Sequence, residues 1–354
     1  MRLGIIGLPQ AGKTTIFNAL TGGSQPVRSG GGRFEVHTAV VDVPDERIDQ
    51  LSEFFNPEKT TYAKVTYADI AGLEGAATGE ISGPLLTQLS QMDGFLHVVR
   101  AFEDPSLPHP LGSVDPARDI ASMESELLLN DLIAVERRLE RLADERRKGG
   151  GREKAQIERE IALFERLQSA LNEETPLREL EYSPEEEKTL SGFGFLTRKP
   201  ILILLNLGEE GEAPAELQSE PGQLLAIRGK IEMEIAQLSP EEAEVFLDEY
   251  GISEPTLNRV IRSSYALLNL ISFFTVGEDE VRAWTVHSGA TAYEAAGAIH
   301  SDLQKGFIRA EVIAWDELLA LGGLGEARAK GRLRLEGKEY PVQDGEIVHI
   351  RFNV

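Results

Sequence analysis

The sequence predicts an α/β fold with a mostly parallel sheet, interrupted by a helical hairpin and followed by a small α+β module. Three observations carry this reading. Short apolar runs alternate with helix-forming segments over residues 1 to about 115. Leu128, Leu132, Val135, Leu139 and Leu142 then recur at spacings of four and three. After about residue 273 strand-like segments return, arranged around one short helix.

Within the first region the strand candidates are Leu3–Ile6, Ala39–Val43, Ala63–Ile70 and Gly94–Val99. Residues 22–33 are rich in Gly and Ser, lack periodicity and read as a loop. The Leu128–Leu142 seam predicts a coiled-coil helix. Ile157, Ile161, Phe164, Leu167 and Leu171 predict a second, and Lys148-Gly149-Gly150-Gly151 breaks the chain between them. The pair is an insertion, because the apolar run Pro200–Leu205 resumes the chemistry of a buried parallel strand. Residues 209–220 read as an acidic exposed loop, and helical patterns run from about Glu232 to Leu270. In the last segment Val281–Val286 predicts a strand and Ala292–His300 a helix. Arg332–Val342 and Glu346–Phe352 predict two strands around the turn Gln343-Asp344-Gly345, a module of β-grasp type. The expected domains are 1–115 with 199–272, the insertion 116–198, and 273–354.

With 354 residues, 41% hydrophobic and 27% charged, the chain has the composition of a soluble globular protein of two or three domains. A net charge of −23 argues against a protein that coats nucleic acid non-specifically, and no DNA specificity is evident. No apolar run reaches a membrane span, and the chain enters a strand directly, so neither a membrane nor a leader peptide is expected. The absence of cysteine excludes disulfides and Cys metal sites and fits a cytoplasmic location.

Residues 7–15, Gly7-Leu8-Pro9-Gln10-Ala11-Gly12-Lys13-Thr14-Thr15, match G-x-x-x-x-G-K-[ST] between a strand candidate and the helix-forming run Ile16–Leu20. In that setting Gly7 and Gly12 let the backbone N–H groups converge on a phosphate, helped by the positive end of the helix starting near Lys13. Lys13 is expected to reach the β- and γ-phosphates of a nucleoside triphosphate and Thr14 to ligate Mg²⁺. A second carboxylate follows at a strand end in Asp69-Ile70-Ala71-Gly72. Asp69 is expected to hold Mg²⁺ and the Gly72 N–H to sense the γ-phosphate. Base recognition is expected at Asn206-Leu207-Gly208-Glu209. A guanine site ends in an Asp that takes two hydrogen bonds; Glu209 is one methylene longer, which favours ATP or mixed use over GTP.

Together these residues resemble the YchF/Obg-like ATPase family of translation-factor-class P-loop proteins. The resemblance runs end to end. It includes Asp-Ile-Ala-Gly-Leu at 69–73, Arg-Ala-Phe-Glu-Asp at 100–104, Gly-Ser-Val-Asp-Pro at 112–116 and Asn-x-x-Glu at 206–209. It continues through 281–287, His300, 305–312 and 342–349. It implies a P-loop G domain, an inserted coiled-coil hairpin, a C-terminal TGS domain of ubiquitin-like β-grasp fold, ATP hydrolysis and association with ribosomes. Three segments depart from the family. Its Phe-Cys-Thr segment falls on the Gly-rich stretch near Gly30–Arg33, with Thr38 out of register. Its Gly-Leu-Gly-Asn run is replaced by Glu80–Pro84. Its Ser-Ala-Lys-like loop becomes Arg228-Gly229-Lys230, where backbone contacts of Gly229 and Lys230 to the base survive.

The residue after Asp-x-x-Gly is Leu73, which neither donates nor accepts a hydrogen bond. Relatives carry a His in the loop matching Pro105–Leu111, so His109 is the candidate for positioning water, with an exposed loop His of no role as the competing reading. Eight cations and five carboxylates crowd residues 136–154 near the hairpin tip, a place for ribosomal RNA to make contact or simply a solvated helix face. The C-terminal module is the other expected ribosome contact; its histidines show no metal spacing. Two functions follow: a slow ATPase whose nucleotide state regulates ribosome binding, in translation or stress, or a nucleotide-binding adaptor in which the altered first switch uncouples binding from hydrolysis.

Overall fold

The computed structural model describes residues 1–23, 36–70, 81, 83–148, 152–214, 217, 224–249 and 254–353. The elements in chain order begin β1 (Arg2–Ile6), α1 (Lys13–Thr21), β2 (Val36–Asp42), α2 (Glu46–Phe55), β3 (Lys59–Thr61), β4 (Lys64–Ile70), α3 (Gly83–Ser90) and β5 (Gly94–Ala101). There follow α4 (Pro116–Lys148), α5 (Lys154–Asn172), α6 (Pro184–Leu190), β6 (Ile201–Leu207), β7 (Leu224–Ile227), α7 (Gly229–Ile235), α8 (Pro240–Glu249) and α9 (Thr256–Leu267). The last are β8 (Leu270–Thr275), β9 (Glu280–His287), α10 (Ala292–Ile299), α11 (Ser301–Lys305), β10 (Phe307–Ala314), α12 (Trp315–Leu321), α13 (Leu324–Ala329), β11 (Arg334–Glu336) and β12 (Glu346–Phe352). Among the described residues, no helix is long and apolar enough to cross a membrane. The chain divides into two compact units, Met1–Ala39 with Thr66–Leu257 and Val40–Val65 with Asn258–Val354.

The first sheet has the order β2-β4-β1-β5-β6-β7, and the pairs β4–β1, β1–β5, β5–β6 and β6–β7 are parallel. Parallel strands covered on both faces need apolar residues at nearly every position. β1 and β6 meet that demand, with Leu3, Ile5, Ile6, Leu202, Leu204 and Leu205 all buried. One face packs on a cluster that includes Ile6, Ile70, Phe95, Met123, Leu127 and Leu196.

Helix α4 leaves that cluster through Met123 and Leu127 and enters a second core with α5, in which Leu128, Val135, Phe164, Leu167 and Leu171 pack with Leu177 and Phe195. The anticipated 3–4 seam is present with one change. Ile161 is only half-buried, and Leu163 and Glu160 are buried beside Phe164 instead. A buried carboxylate needs a partner, and Glu160 has two, Arg138 and Arg152, each at 2.6 Å. Where the two cores meet, buried Asp131 accepts from the Leu196 and Thr197 N–H groups at 2.9 and 2.7 Å and from Thr197 Oγ1 at 2.6 Å. The junction is pinned by one side chain.

In the second unit the sheet runs β11-β10-β12-β8-β9-β3. β10 pairs antiparallel with both β11 and β12, β8 pairs antiparallel with β9, and β12 lies parallel to β8. α10 packs its Ala292, Ala295 and Ala296 against Phe273, Val312 and Val348. The expected pair of strands around Gln343-Asp344-Gly345 takes another form. β11 ends at Glu336, and β10 separates it from β12. Gly337 and Pro341 shorten the strand, since Gly packs nothing and Pro has no N–H for the ladder. β10, eight residues long, then offers ladder partners to both of its neighbours.

Burial pushes the Asp131 carboxyl up to about 6, against the pull of its three donors. The folded state therefore holds this proton more tightly than the unfolded chain, whose Asp titrates near 4. Its contribution to stability is greatest at low pH and declines between about pH 4 and 6. Urea midpoints across that window should show this decline in the wild type and not in Asp131→Asn. Asp131→Ala, which strands the buried donors, should cost about 2 kcal/mol or more at pH 7.

Candidate functional site

The β1–α1 turn is shaped by what its backbone must clear. Gly12 adopts φ 95°, and a Cβ there would lie 2.2 Å from Asn206 Nδ2, so no other residue fits. Gly12 also occupies the N-cap position and brings no capping side chain. Helix hydrogen bonding begins with the Ile16 N–H to the Gly12 carbonyl at 2.9 Å. The N–H groups of the first turn of α1 thus sit at the positive end of the helix. Such an N-terminus suits an anion. Leu8 and Ala11 are buried and fix the loop from below, Pro9 is half-buried, and Gln10 is exposed with φ 62°.

Lys13 folds back over the loop, its Nζ donating to the Gly7 and Leu8 carbonyls, both at 2.9 Å. Thr14 Oγ1 donates to Asp69 Oδ2 at 2.9 Å, joining the two residues expected to hold a metal across 55 positions of sequence. Asp69 is buried at the end of β4 because its strand neighbour is Ile5 of β1, directly before the loop. A hydroxyl beside a carboxylate is a hard oxygen set of the kind Mg²⁺ takes with phosphate. Among the described residues no group of three or more His, Asp or Glu is placed to hold a metal by itself. Gly72 and Leu73 lie outside the described residues, as do Gly30–Arg33 and, within the Glu80–Pro84 stretch, Glu80 and Ser82.

Asn206, at the end of β6, is buried. Its Nδ2 donates to the Ala11 carbonyl at 3.0 Å and its Oδ1 accepts from the Gly229 N–H at 3.1 Å. Gly229 is tight for the same reason as Gly12: a Cβ would stand 2.7 Å from both Asn206 Oδ1 and Ile16 Cδ1. The Asn206 amide thus ties the phosphate loop to the start of α7 instead of standing free for a base. Leu207 packs in a core cluster with Val99 and Leu205. Glu209 is exposed and pairs with Lys230 Nζ at 2.7 Å; this hydrogen bond holds the Glu209 carboxyl below its ordinary value and raises Lys230. Arg228 Nε and Nη2 hold the carbonyls of Glu209 and Gly211 at 2.9 and 3.2 Å, which shapes the loop that follows.

His109 is not an exposed loop residue. Its side chain is 3% exposed, Nε2 lies 2.9 Å from Asp119 Oδ2, and Nδ1 accepts from the Leu111 N–H at 3.1 Å. Nδ1 is thus engaged within the chain and Nε2 faces the buried Asp119 carboxylate, so His109 can hold a water only after leaving Asp119. Sequence reasoning missed His97 altogether. It sits in β5 beside Ile6, and burial, then the charge of Lys13, depresses its pKa to about 3. A neutral imidazole therefore stands near the phosphate-loop lysine without adding a competing charge.

Two family profiles match the chain. One, described as a 50S ribosome-binding GTPase, covers residues 2–136; the other, the C-terminal family of YchF GTPases, described as a protein of unknown function, covers residues 270–353. The chain is 41% identical over 365 residues to the ribosome-binding ATPase YchF of Bacillus subtilis, covering 99% of each. It is 42% identical to the protein of that name from Haemophilus influenzae over 364 residues, covering 100% of this chain and 99% of the relative. The solved structure of the Schizosaccharomyces pombe YchF GTPase superposes with a TM-score of 0.84 at 31% identity, over 99% of this chain and 97% of that one.

The Asn206 tie generates an expectation for nucleotide affinity. Asn206→Ala should leave the fold intact and weaken binding of a fluorescent ATP analogue roughly tenfold or more, the loss of about 1.4 kcal/mol of loop organisation. Gly12→Ala, which drives a methyl group into Asn206, should weaken it more than Asn206→Ala does.

Proposed function

The chain belongs to the YchF family of P-loop ATPases, and from that premise we propose that it hydrolyses ATP slowly, with Mg²⁺, and couples its nucleotide state to association with the ribosome. The nucleotide-binding, hydrolytic character is that of the family. The contact between Thr14 and Asp69 carries the rest of the reading, because it gathers a phosphate loop and a metal carboxylate from separate strands into one site. Thr14 and Asp69 would hold Mg²⁺, Asp69 through water, and the ion would neutralise charge developing on the phosphates. Lys13 would exchange its two carbonyl partners for phosphate oxygens. The first-turn N–H groups of α1 would cradle the remaining phosphate oxygens, and Gly72 would sense the γ-phosphate.

The base would lie against the 206–209 and 228–230 loops. Glu209, kept ionised by Lys230, is an acceptor suited to an exocyclic amino group, and its extra methylene relaxes the match to guanine. ATP is therefore preferred or tolerated over GTP. The regions 1–115 and 199–272 would act as the G domain. Residues 116–198 would form the inserted coiled-coil hairpin, supported by the packing of α4 on α5. Residues 273–354 would form the TGS domain of β-grasp type, supported by the mixed sheet with α10 packed on it. The hairpin and the TGS domain would supply the ribosome contacts, in the cytoplasm. The adaptor reading, binding without turnover, is disfavoured by the relatives, which are named ATPases.

Steady-state phosphate release with and without purified ribosomes tests this reading. Lys13→Ala should lower turnover at least about a hundredfold. His109→Ala, checked for folding by circular dichroism, should lower the ribosome-stimulated rate by roughly 10²-fold if the imidazole positions water. An unchanged rate would remove His109 from the mechanism. Micromolar ATP binding with zero turnover under both conditions would restore the adaptor.

A further inference from the structure

The cations crowding the helical arm are not equivalent. Arg138 and Arg152 are spent on Glu160 and Glu145, with Arg138 at 2.6 and 3.1 Å and Arg152 at 2.6 and 3.0 Å. Arg146 is bound to Glu158 at 2.9 Å, which clamps α4 to α5. Arg147 and Lys148 share Asp144 at 2.8 and 3.3 Å. A cation already neutralised by a carboxylate gives up that partner if it takes a phosphate; Arg138, Arg146 and Arg152 hold the arm together in this way, whereas the exposed pairs of Arg147 and Lys148 lie within α4.

Arg137 and Arg141 differ from these five, as does Lys154 at the start of α5. Both arginines are exposed, and neither forms an ion pair with Glu136, Glu140 or any other carboxylate among the described residues. They stand one helical turn apart. At about 100° per residue, Arg137 is roughly 200° around α4 from buried Val135, on the face turned away from α5. Like charges at this spacing destabilise a helix by a few tenths of a kcal/mol.

We propose that Arg137 and Arg141 form a phosphate-binding pair through which the outer face of α4 grips an RNA backbone, and that Arg138, Arg146 and Arg152 are structural. The inference rests on the ribosome association proposed above. Charge complementarity selects the partner. On a chain of net charge −23, two unneutralised guanidinium groups side by side attract a polyanion, and each phosphate they neutralise releases counterions. Guanidinium groups also fork onto phosphate oxygens in a way that ammonium groups do not.

The test uses the full chain with two probes, purified bacterial ribosomes and deproteinised ribosomal RNA, each over a series of KCl concentrations. Arg137→Glu/Arg141→Glu should bind both probes roughly tenfold or more weakly near 0.15 M salt and flatten the log–log salt slope by about 1.5. ATP affinity and melting temperature should stay at wild-type values. Arg146→Gln and Arg147→Gln should change binding by less than about threefold. The proposal is overturned if the double variant matches the wild type in affinity and slope, or if the paired cations prove equally important. It is also overturned if only ribosome binding is lost while binding to naked RNA persists, which would assign the face to a ribosomal protein. A wild-type chain that binds neither probe would remove the ribosome reading itself, an outcome distinct from any difference between variants.

Discussion

One buried amide sets the geometry of the nucleotide site. Asn206 reaches from the end of β6 to the Ala11 carbonyl on one side and the Gly229 N–H on the other, so three stretches far apart in sequence share a single side chain. Two consequences follow. Positions 12 and 229 have no room for a Cβ, which turns a general preference for glycine into a requirement. The same two hydrogen bonds hold the phosphate loop in its curled form, and organisation made in advance is binding energy not spent later. The parallel register of β5 and β6 supports this arrangement, since it brings Arg100 level with Asn206 and carries buried Leu202, Leu204 and Leu205 before it in the strand.

Electrostatics around the loop follow the same economy. Lys13 is the cation proposed to meet the phosphates, and the nearby His97 stays neutral because its burial penalises the charged form. Glu209 and Lys230, both exposed, pair at the rim, where such pairs contribute little to stability and can open readily. His109 presents the opposite case. Its imidazole is closed in beside Asp119, so any catalytic use of it requires the loop before α4 to rearrange. The chain therefore combines a loop organised by Asn206 with a water-positioning candidate closed in beside Asp119.

How much of this the sequence revealed depends on how local the information is. The phosphate loop was legible because glycine spacing, lysine and threonine are contiguous and flanked by a strand and a helix. Asp69 was legible through its strand-end position. The roles of Asn206, Gly229 and Arg228 were only partly so, because their hydrogen bonds depend on sheet register that no local pattern encodes. His97 gave no signal at all, being one residue in an apolar strand. In the helical arm the spacing of leucines marked the seam, yet Glu160 in that seam and the pairing of the tip cations required both helices in place. The strand expected over Arg332–Val342 is shorter in the structure, because Gly337 and Pro341 end the ladder at Glu336.

The central claim, that the β1–α1 turn grips a triphosphate, is tested most directly by a crystal structure with Mg²⁺ and a non-hydrolysable ATP analogue. The account predicts that Lys13 Nζ leaves the Gly7 and Leu8 carbonyls for phosphate oxygens while the Asn206 bridge to Ala11 and Gly229 stays unbroken. A triphosphate bound elsewhere, or a Lys13 still tied to its own loop beneath a bound nucleotide, would contradict it.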